Sequence, residues 1–333
     1  MPKKFKFSLL AFLAVAVIFQ AQIKAETGRV TLKKQYQAGQ SFKAVEQLNM
    51  EVQIGVAENT FKLKFATGMG YRYTVKQVAG DGGMTVGLAI HALFSETPSV
   101  MGLDASFDST DLFAVPQLSN LISASLVGQE VEVAIKPDGA VGNVKFSDAF
   151  MERVLQYSKN SKTPLTEEQL KAQALQLLGG QLAKPENSLE QGIFPDKPVT
   201  VGDSWNKGIK MENNGFSMSF QATYTLKQRL KGIAVIEIVA KVLGVSSESG
   251  KATYECYNMD GWLKGTITVI EACGWMRDFD LRFAVDGEIQ PLKSADAEAE
   301  NSEADSEATA VSEAAANAKF HIEASFNRKP GRE

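Results

Sequence analysis

The chain has 333 residues, 44% of them hydrophobic and 22% charged, with a formal net charge of −4. Four lysines and no acid lie in the first 25 residues, so the remainder carries −8, and seven of those charges fall between Ser294 and Asn317. What is left is nearly neutral, which excludes the basic surface that a nucleic-acid partner needs.

The chain opens Met1-Pro-Lys-Lys-Phe-Lys-Phe, followed by an uncharged run from Phe7 to Phe19 and a polar stretch ending Ile23-Lys24-Ala25. A basic start, a short apolar centre and a small residue before the cut are the marks of a secretory signal peptide. The run is 13 residues long, and a bilayer takes roughly 20. Cleavage is expected after Ala25, giving a periplasmic or extracellular protein with no membrane-spanning segment. No cysteine lies near that site to carry a lipid anchor.

Residues 26–146 read as a β-rich first unit. Phe61-Lys-Leu-Lys-Phe65 and Val131-Glu-Val-Ala-Ile-Lys136 alternate with a period of two, as strands with one wet face do. Gly80-Asp-Gly-Gly83 and Lys136-Pro-Asp-Gly139 supply turn residues between such runs. Residues 147–198 read as a helical region. Ser147 can cap a short helix to Tyr157 that presents Phe150, Met151, Val154 and Leu155 on one face. Thr166-Glu-Glu-Gln169 is a capping box for a second helix, which Gly179-Gly180 ends. Residues 199–333 return to alternation, as in Ser217-Met-Ser-Phe220 and Thr266-Ile-Thr-Val-Ile270. Within them, 294–317 holds one aliphatic residue larger than alanine, Val311, and reads as a disordered acidic loop.

The two β-rich units share an order of short matches. Gly39-Gln-Ser-Phe42 answers to Gly202-Asp-Ser-Trp205, Tyr73-Thr-Val-Lys-Gln77 to Tyr224-Thr-Leu-Lys-Gln228, and 131–139 to 266–274. An internal duplication follows. The fold class expected is α+β, mostly antiparallel β. Two pseudo-repeat, half-barrel-like curved sheets would flank a central helical pair, much as in a lipoprotein carrier.

Four segments carry a family likeness. They are Tyr36 to Phe42, Phe107-Asp-Ser-Thr110, Leu126-Val-Gly-Gln129, and Phe194-Pro-Asp-Lys-Pro-Val-Thr-Val-Gly-Asp-Ser-Trp205. Through them the chain resembles the bacterial family known as domain of unknown function 6263. The resemblance implies an exported protein of unassigned activity, and it offers no counterpart for the acidic stretch after Lys293.

Catalytic chemistry is thinly represented. The two histidines, His91 and His321, have no nucleophile beside them in sequence, and His91 in its apolar run reads as a half-buried strand residue. No metal ligand set and no cofactor motif stands out. Asp104, Asp108 and Asp111 fit solvated turn acids better than a calcium loop, which wants a glycine at its bend. Asp278 and Asp280 share a wet strand face. Cys256 and Cys273 are either a disulfide, which export permits, or two buried thiols. The 19 phenylalanines and 10 methionines suggest an apolar ligand face, with Phe61, Leu63, Phe65, Met218 and Phe220 as candidates. Packing against the central helices is the other account of the same side chains. The function expected is that of a non-enzymatic cell-envelope protein binding an apolar, lipid-like molecule or an envelope protein. A carboxylate-dependent hydrolase is the alternative.

Export has a direct readout: the intact mass of the protein recovered from outside the cytoplasm should start at Glu26. Retention of Met1 there would remove the signal peptide from the account.

Overall fold

The computed structural model describes residues 28–56, 59–96, 106–110, 125–136, 141–159, 166, 168–169, 193–213, 216–247, 254–291 and 318–331. Twelve strands form one antiparallel sheet. They are β1 (Ser41–Val56), β2 (Asn59–Val78), β3 (Met84–Glu96), β4 (Phe107–Asp108), β5 (Glu130–Ile135), β6 (Val141–Lys145), β7 (Ser204–Asn213), β8 (Phe216–Leu230), β9 (Ile233–Ser247), β10 (Tyr254–Ile270), β11 (Trp275–Pro291) and β12 (Ala318–Pro330). The order across the sheet is β6-β5-β3-β2-β1-β12-β11-β10-β9-β8-β7, with β4 added on β3. The sheet is open and curved, with β6 and β7 at its edges.

The expected pair of sheets is therefore corrected to one. The reason lies in β12, which pairs with β1 over Ala44–Gly55 on one side and with β11 over Phe279–Ile289 on the other. Any boundary between a first and a second unit is bridged by that strand. Of the expected helical pair, one helix is described, α1 (Asp148–Lys159). The Ser147 hydroxyl accepts from the Phe150 amide at 3.1 Å, as the sequence predicts for an N-cap. The second helix shows its capping box: Thr166 Oγ1 accepts from the Gln169 amide at 3.3 Å, and Gln169 Oε1 accepts from the Thr166 amide at 2.9 Å. Its body past Gln169, and the acidic stretch 294–317, lie outside the described residues.

Two local geometries recur at the matched sequence segments. Gly39, at φ 87°, donates its amide to Val75 O at 2.8 Å, and Val75 donates back to Gln40 O at 2.8 Å. Gly202, at φ 98°, donates to Leu226 O at 2.7 Å, and Leu226 donates back to Asp203 O at 3.0 Å. Both turns need the left-handed conformation that only glycine takes at no cost. Ser41 pairs with Thr74 at 3.1 Å and Ser204 with Thr225 at 2.8 Å, hydroxyl to hydroxyl. A register shift follows in each, between Val75 and Gln77 and between Leu226 and Gln228.

Pairing register fixes which side chains share a face. Even residues of β1 and β12 lie with odd residues of β2 and β11, and that face is apolar. It carries two buried cores. The first gathers Tyr71, Tyr73, Val86, Leu88 and Val133 under Phe150 and Val154 of α1. The second gathers Phe220, Tyr224, Ile236, Ile238, Ile267 and Phe279. Trp205 begins β7 half-buried, stacked on Tyr224 with ring centroids 5.8 Å apart, and its indole donates to Ile193 O at 2.8 Å.

Residues 28–36 form a strap from one core to the other. Val30 bridges to Val199, Leu32 is buried in the second core, and Tyr36 packs on the first. The strap crosses the backbone at Gly274, where a Cβ would sit 2.3 Å from Lys33 O. Arg229 fastens its start, donating to Gly28 O and in bidentate fashion to Glu271 at 2.7 and 2.8 Å.

At the seam between β1 and β12, Glu46 and Arg328 are direct cross-strand partners. Their side chains are 17% and 7% exposed, and Arg328 Nε donates to Glu46 Oε1 at 2.7 Å. The Tyr71 hydroxyl also donates to Glu46 Oε1, at 2.7 Å, and Arg328 Nη1 donates to Met276 O at 3.0 Å. Removing one member of such a pair strands a buried charge, whereas replacing both with apolar residues is far milder. Arg328→Leu should therefore cost about 3–5 kcal/mol in urea unfolding, and adding Glu46→Leu should restore most of it. Two additive losses would show the pair to be uncoupled.

Candidate functional site

The five residues expected to form one apolar face do not meet. Phe220 is 1% exposed in the second core, with Met218 packed beside it. Phe61, Leu63 and Phe65 stand on β2, which is six strands away from β8 in the sheet order. At about 4.8 Å per strand that is roughly 29 Å along the sheet. Phe220 is core and Met218 is a half-buried neighbour packed against it.

The β2 residues belong to a different apolar surface. Three cross-strand rows run over β2, β1, β12 and β11. They are Phe61–Ile54–Phe320, Leu63–Val52–Ile322–Val285, and Phe65–Met50–Ala324–Phe283. Phe283 touches the second core; the others lie outside both clusters, although Phe320, Ala324 and Val285 are themselves buried, at 8%, 4% and 0% exposure. Phe61 is 57% exposed, and Leu63, Phe65, Met50, Val52 and Ile54 are half-buried. The alternation legible in Phe61 to Phe65 thus continues across four strands. The sequence could not show this, because it depends on pairing between the first and last strands.

The opposite face of the same strands is polar and borders an open groove of about 920 Å³. Thr266 of β10 and Glu96 of β3 both line it, although five strand spacings separate them, about 24 Å if the sheet were flat. Asp278 and Asp280 are in this groove, as are Asn49, Glu51, Asn327 and Arg282. Lys64 lies 3.5 Å from Glu51, and Arg277 lies 3.8 Å from Asp278. Sequence reasoning found the wet face of Asp278 and Asp280 but not the neighbours that the register brings to them.

His91 is exposed rather than half-buried. It is the extra residue of a bulge, since β2 register passes from Ile90 opposite Tyr71 to Ala92 opposite Gly70. A Cβ on Gly70 would sit 2.8 Å from its Nε2, so the ring lies over that glycine. His321 Nδ1 is 2.8 Å from Asp286 Oδ1 on the polar face. That is the partner a general base would use, but the pair is not among the residues bordering the groove. Asp108 Oδ1 accepts from the Thr110 amide at 2.8 Å and hydroxyl at 2.7 Å, which holds its carboxyl below the usual range. Asp104 and Asp111 lie outside the described residues. Among the described residues no group of three His, Cys, Asp or Glu is arranged to hold a metal, and no helix is long and apolar enough to cross a membrane.

Cys256 and Cys273 do not form the disulfide that export would permit. Cys256 is near the start of β10 and Cys273 is in the turn beyond its end. The strand residues between them extend about 45 Å, against the ~7 Å that a disulfide tolerates between Cα atoms.

A protein-family model described as a family of unknown function, DUF6263, matches residues 81–276. No curated protein matches the chain. Among solved structures, one of lipid–protein interactions in lipovitellin is 10% identical, with a TM-score of 0.41 over 90% of this chain and 26% of that one. The chain thus spans about a quarter of the lipovitellin chain. Pseudomonas aeruginosa OccK2 (OpdF) is 7% identical over 88% of this chain and 99% of that one, with a TM-score of 0.21. A DUF1329 family protein from Desulfovibrio piger is 6% identical over 86% and 85%, with a TM-score of 0.14. These scores are too low for any property of those proteins to carry over.

The cysteine geometry sets a labelling order. Burial pushes the Cys273 thiol up, partly offset by the backbone amide of Trp275, while Cys256 is half-buried. A maleimide should modify Cys256 in the native protein and Cys273 only on unfolding, since the thiolate is the reactive form. Dithiothreitol should leave the unfolding midpoint unchanged; a drop would mean that the sulfurs are joined.

Proposed function

We propose a function for a chain that belongs to the family of unknown function DUF6263: it is an exported, non-enzymatic binding protein of the cell envelope that holds a lipid-like molecule. The ligand lies on the outer part of the apolar face, over β2, β1 and the adjoining Ile322 of β12. The observation that carries this reading is the set of three all-apolar rows from Phe61–Ile54–Phe320 to Phe65–Met50–Ala324–Phe283. The accessible part of the rows is Phe61 with half-buried Leu63, Phe65, Met50, Val52, Ile54 and Ile322, and a contiguous apolar surface marks an interaction site where isolated surface hydrophobics do not. An acyl chain laid along the strands would bury Phe61 and complete the half-buried neighbours, at about 25 cal/mol for each Å² removed from water.

The matched turns at Gly39 and Gly202 support a further part of this reading, that the two halves descend from one repeated, half-barrel-like unit. Each half would bring its own core, and the apolar rows would lie where the copies fuse.

A carboxylate-dependent hydrolase is the second reading, favoured by Asp278, Asp280, Glu51 and Glu323 around the groove. Glycoside hydrolysis needs one carboxyl kept protonated by an apolar pocket. Asp280 and Glu323 are instead exposed on an open polar floor, so the binding role is preferred.

The test uses the mature protein and a fluorescent long-chain fatty acid. Binding is expected, and Phe61→Asp with Leu63→Asp should weaken it at least tenfold with the far-UV spectrum unchanged. Equal affinity in that variant, or no binding by the parent protein, would overturn the reading.

A further inference from the structure

The polar groove is unlike the apolar rows behind it, and it has a chemistry of its own. Its floor is built by register. Asp280 lies between Thr266 of β10 and Asn327 of β12, and Arg282 lies beside Ser325, which lies beside Asn49. Amides, hydroxyls, a guanidinium and carboxylates therefore alternate across four strands at neighbouring positions. Among the described residues, no hydrogen bond or ion pair engages the side chains of Asn49, Asn327, Asp280, Arg282 or Glu323. Their donors and acceptors are turned to the groove rather than to one another.

The mixture also restricts the ligand. Glu51, Glu96, Asp278, Asp280 and Glu323 are interleaved with Lys64, Arg282 and Lys329, so neither a polyanion nor a polycation meets a surface of one sign. An apolar tail would have to strip water from all of them. A chain of neutral hydroxyls suits the site, since each hydroxyl both donates and accepts. Carboxylate, amide and guanidinium groups are flat forks that engage two neighbouring partners at once. The groove, at about 920 Å³, has room for several rings.

We propose that the polar face of β10, β11, β12 and β1 is a second binding site, for a neutral oligosaccharide, opposite the apolar face. The side chains it uses differ from those of the lipid reading, although Met50, Phe65 and Ala324 of one apolar row also border the groove.

Saturation-transfer NMR of the mature protein with neutral oligosaccharides of glucose, mannose and N-acetylglucosamine, three to six units long, tests it. At least one series should show transfer, and the double variant Asp280→Ala, Asn327→Ala should lose it at least tenfold. The far-UV spectrum and urea-unfolding midpoint of that variant should match the parent's, which reports that the variant folds whether or not a fatty acid binds. Arg282→Ala is the second variant should the first fail to fold, with the same loss expected. Absence of transfer from every series, or undiminished transfer in the folded variants, overturns the proposal. So does tighter competition by a sulfated polysaccharide than by any neutral one.

Discussion

The two halves of the sheet are joined by the pairing of β12 with β1 on one side and β11 on the other, and a buried ion pair lies on that seam. Glu46 and Arg328 face each other across the seam between β1 and β12, in the apolar face where a charge is hardest to keep. Arg328 is supplied with partners on every side. Beyond Glu46 and the Met276 carbonyl, its guanidinium lies 5.3 Å from the Trp275 ring centroid and 5.1 Å from that of Phe279. Trp275 belongs to the first core, while Met276 and Phe279 belong to the second. One side chain thus touches both cores and lies on the strand that joins them.

The strap repeats that logic at the base of the strands. Arg229 and Glu271 hold its beginning, Leu32 and Tyr36 pin it to the two cores, and Gly274 lets it pass close to the β10–β11 turn. Both devices use a buried Arg–Glu pair to spend its hydrogen bonds on backbone carbonyls as well as on each other. This satisfies the desolvated guanidinium and ties distant segments at once. With both cores closed at this end, the outer parts of the central strands are left with one apolar and one polar surface.

Local features were legible in the sequence because local rules decide them. Ser147 caps α1, Gly39 and Gly202 make the same turn, and Phe61 to Phe65 alternate, each for reasons contained within a few residues. The seam was not legible. Arg328 sits in Asn-Arg-Lys-Pro and reads as a solvated tail charge until β12 is laid against β1, 282 residues away from Glu46. For the same reason Phe220 and Phe61 looked equivalent in sequence. The one ended in the second core and the other outside both cores, a distinction that exists only once the strands are ordered. The groove was half legible: Asp278 and Asp280 announced a wet face, but their companions Asn49 and Asn327 come from strands that only register brings together.

Placing β12 in the middle of the sheet has a consequence for how the chain is made. Synthesis proceeds from the N-terminus, and domains or subdomains tend to fold as they emerge. The strands β1 to β3 and β7 to β11 can each assemble as meanders while the last strand is still unmade. Until it arrives, β1 and β11 both present a long edge of unpaired amides and carbonyls beside apolar side chains, the form most prone to pairing with another molecule. The final insertion then closes two edges in one step and brings in Arg328. A nascent chain of this protein is therefore most vulnerable late, and a chaperone that shields strand edges would matter more to its yield than one that shields helices.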